Sequence, residues 1–150
     1  DGGQNIGARG QMLLASVYAG MAFTRAYVGY VHAIAHNLGG MYGIPHGLAN
    51  SVILPVVLEE YGSTIYPRLA KLAEIVGING QTEEELAKGF IAEIKAMNER
   101  MAIPTAFEQI KEEDIPTIVE RAMKEAHPLY PTPVIFDADR LAQIVRKLKG

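Results

Sequence analysis

Apolar positions recur along this chain at helical spacing, and no convincing stretch alternates with a period of two. The segment from Ala8 to Phe23 is apolar nearly all round, which predicts a helix buried on most of its sides. Gly20 and Ala22 within it leave room for another helix to approach closely. Ala26 to Leu38 predicts a second helix, with Gly39-Gly40 suited to a left-handed cap. Pro45 fits the first position of a third helix, where its missing N–H costs nothing. That helix is expected to run through Ala49 and Val52 toward Glu60, with Pro55 kinking or breaking it.

Beyond residue 60 the pattern becomes amphipathic and the helix ends are signposted. Ser63 to Val76 carries Leu69, Leu72 and Val76 on one face. Thr82 followed by Glu85 is a capping box opening a helix to about Arg100. Ile103-Pro104-Thr105 reads as a turn. Asp114 can cap a helix to about Ala126, and Asp137 another through Leu148, with Lys and Arg near its C-terminal end. His127 to Pro133 is a proline-rich, extended connector. The expected fold is an all-α bundle of six or seven helices in one domain, without internal repeats.

Composition narrows the function classes. A net charge of −3 offers no basic patch, so nucleic acid is not an expected partner. The absence of cysteine rules out a disulfide framework and fits a cytoplasmic setting. No basic segment precedes an apolar one at the N-terminus, so no signal peptide is expected. Histidines, asparagines, prolines and glycines interrupt the apolar stretch, which argues against a membrane span. Charge is also uneven. Residues 2 to 58 contain only Arg9 and Arg25, against 14 basic and 17 acidic residues in the whole chain. So naked a first third is expected to lie against more protein, either upstream sequence or another subunit, and a homo-oligomer is expected. The start at Asp1, with no Met, carries the same expectation of an upstream portion.

The chemistry concentrates in that uncharged region. His32, His36 and His46 fall within fifteen residues, and from Ala26 to Leu58 there is no Asp, Glu, Lys or Arg. Neutral imidazole binds divalent transition metals and shuttles protons near pH 7. His32 and His36 lie one helical turn apart on one face. His46 follows Gly39, Gly40 and Gly43, where the chain can reverse, so it can approach either of them. A single histidine in an apolar helix is more often a hydrogen-bonded core residue than a ligand, but three joined by a reversal weigh against that. Ala33 stands where the His-Glu-x-x-His metalloproteases carry their glutamate. A self-contained hydrolase built on the three histidines would lack any nearby carboxylate, so part of a metal site would have to come from elsewhere. His127, in the connector, is given no metal role. The methionines and Tyr18, Tyr27 and Tyr30 are expected to fill the core.

Three stretches are similar to the signature of the iron-containing (group III) alcohol dehydrogenases. They are Phe23-Thr24-Arg25-Ala26, Gly29-Tyr30-Val31-His32-Ala33-Ile34-Ala35-His36-Asn37-Leu38-Gly39-Gly40, and Pro45-His46-Gly47-Leu48-Ala49-Asn50. Leu54-Pro55 and Pro128-Leu129-Tyr130-Pro131 fit as well. The resemblance implies the all-helical C-terminal domain of a dehydroquinate synthase-like architecture, with Fe²⁺ or Zn²⁺ in the cleft beside a nucleotide-binding domain. It implies His32 and His46 as metal ligands, in place of the one-turn pair. His36 would lie toward the nicotinamide and the substrate as a proton relay. An Asp-x-x-x-His helix and the dinucleotide-binding domain, for NAD or NADP, would lie outside this sequence. The implied activity is oxidation of primary alcohols or reduction of aldehydes, with the fragment inactive alone. A non-catalytic helical assembly domain is the alternative.

Overall fold

In the computed structural model, which describes residues 3–150, side-chain caps open three of the seven α-helices. Asn5 opens α1 (Ile6–Ala26), its Oδ1 accepting the Ala8 N–H at 3.1 Å. Tyr27 ends it with φ 61°, an unusual conformation for a residue with a side chain. α2 (Tyr30–Tyr42) starts later than Ala26 and does not stop at Gly39-Gly40. It runs on to Gly43, whose φ of 69° supplies the left-handed cap. Each internal glycine costs roughly 1 kcal/mol of helix propensity. The last turn is nevertheless held, because Met41 and Tyr42 pack on the core and the Tyr42 hydroxyl donates to Asp114 Oδ2 at 2.8 Å.

Pro45 is the cap of α3 (His46–Tyr61) rather than its first residue, and Pro55 does not break that helix. Pro55 is itself buried, between Ile53 and Val57, which are fully buried too. Packing on both neighbours outweighs the hydrogen bond that the proline removes. A short 3₁₀ turn (Gly62–Ile65) leads into α4 (Tyr66–Ile75). The capping box of α5 (Glu83–Arg100) forms: Thr82 Oγ1 accepts from Glu85 N–H at 3.1 Å, and Glu85 Oε2 reaches back to Gln81 N–H at 2.8 Å. Asp114 does not cap α6 (Ile115–Ala126) with its side chain, since its Oδ2 is taken by Tyr42. Asp137 does cap α7 (Ala138–Lys147), accepting from Arg140 N–H at 2.8 Å.

Seven α-helices and no strand make up the described residues, apart from one isolated bridge between Phe107 and Lys149. α2 is the central element, packed on α3 and α6, with α7 against α6. α4 and α5 pair, and α5 reaches back to α3. The shared core includes Ile34, Leu38, Ile53, Ile118, Leu141 and Ile144. Tyr30, Tyr61 and Phe136 stack at its edge, with the Tyr30 and Phe136 rings 4.7 Å apart. Burial raises the Tyr61 phenol well above its ordinary range. The connector after α6 is fastened there, since Tyr30 Oη accepts from Phe136 N–H at 3.0 Å and meets His127 Nε2.

α1 departs from expectation. None of its residues is buried. Met12, Tyr18 and Met21 stand exposed, as do Tyr27, Met97 and Met101, so they are not core filling. Tyr30 is fully buried, and Met41 and Met123 pack on the core. No helix among the described residues is long and apolar enough to cross a membrane.

Candidate metal centre

One face of α2 is spent on the core: Ala33, Ile34, Asn37 and Leu38 are buried, with Asn37 Nδ2 donating to Ala33 O at 2.9 Å. His32 and His36 lie off that face, His32 half-buried and His36 exposed. The left-handed turn at Gly43 then folds the chain back. Ile44 is buried, and His46 is set at the start of α3 beside the other two imidazoles.

The three rings form a near-equilateral cluster. Centroids are 5.2 Å apart for His32 and His46, 5.3 Å for His36 and His46, and 5.8 Å for His32 and His36. Two imidazoles bound tetrahedrally to one ion at about 2.1 Å place their centroids roughly 5 Å apart. His46 matches that spacing with both His32 and His36, and imidazole donors suit Fe²⁺ or Zn²⁺. Among the described residues there is no ready-made cage of three or more histidine or carboxylate side chains. The cluster is open on one side, with His36 and His46 both exposed.

Each imidazole has a distinct environment. Burial, then the neighbouring His46 and His36, lowers the His32 pKa against a smaller opposing pull from Glu125, which keeps its lone pair free at neutral pH. His46 Nε2 accepts from Asn50 Nδ2 at 2.9 Å, and the same amide donates to the His46 carbonyl at 2.9 Å. Asn50 Oδ1 is buried without a partner among the described residues. An ion at His46 Nε2 would displace only one of the two Asn50 hydrogen bonds. His36 Nδ1 donates to Glu125 Oε1 at 2.7 Å. Tyr130 Oη donates to the same oxygen at 2.7 Å, and burial, reinforced by that bond, pushes the Tyr130 phenol up to about 12. His127 instead meets the Tyr30 hydroxyl.

Sequence reasoning brought the three histidines together but missed Glu125 as a partner. A carboxylate at the end of an amphipathic helix reads as a solvated charge, and its 89-residue separation from His36 hides the contact. Tyr130 and Asn50 entered only as parts of the resemblance, without a physical role.

The chain belongs to the Fe-containing alcohol dehydrogenase family, whose C-terminal model matches residues 1–149. It is 42% identical to 1,3-propanediol dehydrogenase of Klebsiella pneumoniae, over 83% of this chain and 33% of that protein. It is 39% identical to the NADPH-dependent butanol dehydrogenase of Clostridium saccharobutylicum, over 79% of this chain and 32% of that protein. The crystal structure of a 1,3-propanediol oxidoreductase superposes with a TM-score of 0.89 at 37% identity, covering 96% of this chain and 38% of that one. The chain thus spans about a third of the length of the curated relatives it matches.

Proposed function

We propose that this chain is the helical half of a metal-dependent alcohol dehydrogenase that interconverts a primary alcohol and its aldehyde with NAD or NADP. The observation that carries the reading is the convergence of the His46 ring on His32 and His36, at 5.2 and 5.3 Å, across the Gly43 reversal, and the resemblance selects His32 and His46 as the ligands. Those two residues would hold the ion, with the remaining ligands, an Asp and a His, supplied by sequence upstream. Bound Fe²⁺ or Zn²⁺ would supply Lewis acidity at the alcohol oxygen, and the nicotinamide would take the hydride.

The chain's own residues do the rest. His32, kept neutral by burial, presents a lone pair. His46 is seated by the cap of α3. His36, exposed at the open side of the cluster, would remove the alcohol proton and pass it to solvent. The upstream domain would cover the apolar face of α1, a second copy of the whole enzyme would add oligomeric contacts, and the enzyme would act in the cytoplasm. The absence of a three-ligand cage among the described residues disfavours a self-contained hydrolase.

Metal analysis and turnover of the intact enzyme test the proposal. His32→Ala and His46→Ala should each lose bound metal by at least about tenfold in affinity. His36→Ala should keep the metal and slow turnover by about a hundredfold. Full metal content in His32→Ala would overturn the ligand assignment.

A further inference from the structure

We infer that Glu125 is a positioning residue for His36, fixing which ring nitrogen carries the proton, with Tyr130 holding the carboxylate in place. The two ring nitrogens of an imidazole are not equivalent: the nitrogen that donates to a fixed partner leaves the other with its lone pair. Here Nδ1 is committed to Glu125 Oε1 at 2.7 Å, so the neutral ring is the Nδ1–H tautomer and Nε2 is bare. Free histidine favours the opposite tautomer, with the proton on Nε2. The carboxylate therefore reverses an intrinsic preference.

Geometry supports a built arrangement and not a passing surface pair. Glu125 lies on the last turn of α6, which packs directly against α2, so the backbone bearing each partner is rigid. Ala122 and Ala126, on either side, are fully buried and anchor that turn. The same Oε1 receives the Tyr130 hydroxyl at 2.7 Å, and Tyr130 itself packs on the core. A carboxylate held by two donors from two segments cannot swing away without losing both. The outcome is an imidazole whose Nδ1 is occupied and whose Nε2 is free to accept a proton. The value of that for turnover rests on the dehydrogenase reading above; the tautomer does not.

Long-range ¹H–¹⁵N correlation spectra of the 150-residue chain, at a pH well above the ordinary histidine range, read the tautomer directly. Wild-type His36 is expected to be mainly Nδ1–H. E125L, with helical content unchanged by circular dichroism, should become mainly Nε2–H, while E125Q, which keeps an acceptor oxygen, should restore Nδ1–H. A wild-type ring protonated on Nε2 overturns the inference without any variant, and so does an E125L ring still on Nδ1. A failed dehydrogenase reading would show instead as metal-free, inactive intact enzyme with the wild-type tautomer as expected.

Discussion

α1 and α2 are both apolar and both free of acidic residues, yet one buries nothing and the other is the centre of the core. Their composition does not separate them. The difference lies in what each meets: α2 is enclosed by α3 and α6, and α1 presents Leu13, Leu14 and Val17 to solvent. An apolar helix states that a partner is needed; it does not say that the partner is in the same chain. A helix with apolar residues all round and no burial is a surface awaiting contact.

The strongest way to break this comparison is a matched truncation. Ile34→Ala in α2 should cost about 2–5 kcal/mol in urea unfolding of this chain. Leu13→Ala in α1 should stay within about 0.5 kcal/mol. Equal losses at both positions would mean that α1 is packed in solution. Self-association is the next handle. Charging the open face with Leu13→Lys and Val17→Glu should shift the chain toward monomer in sedimentation velocity, by a clear fall in the associated fraction. The same pair of changes should disturb the intact enzyme, where the face is proposed to be covered.

Caps sharpen the contrast at smaller scale. Thr82→Ala removes the oxygen that accepts from Glu85 N–H and should cost about 1 kcal/mol of global stability. Asn5→Ala removes the equivalent bond to Ala8 but should only lower helical signal, leaving the unfolding midpoint in place. A pH-dependent effect belongs to Glu60, which lies between Lys147 and Arg140, with Arg140 Nε 3.2 Å from its Oε2. The Lys147 hydrogen bond, and then Arg140, hold its pKa below the ordinary value against burial. A depressed carboxylate pKa gives stability that is present above the unfolded pKa and lost as pH falls through the folded one. Glu60→Gln should therefore be less stable at pH 7 by up to about 1 kcal/mol, with the gap closing in acid. A gap that widens in acid would reverse the sign.

How legible the molecule was in its sequence varies by region. From Thr82 onward, the two helices with side-chain caps, at Thr82 and Asp137, begin where those residues stand, because a cap acts over three residues. Around Gly39-Gly40 and Pro55 local rules failed, because Tyr42 reaching Asp114 and the burial of Pro55 are contacts between distant segments. The histidine cluster was legible from its spacing and the glycine-rich reversal. The environment of each ring was not: Glu125 reaches His36 only once α6 lies beside α2.

The central claim is that His32 and His46 form part of a metal shell completed from outside this chain. Anaerobic calorimetry of the chain with Fe²⁺ or Zn²⁺, repeated on His46→Ala, tests it most directly. The account predicts weak binding that weakens further in the variant. Tight one-to-one binding by monomeric chain, abolished by His46→Ala, would show that the three histidines suffice and would contradict it.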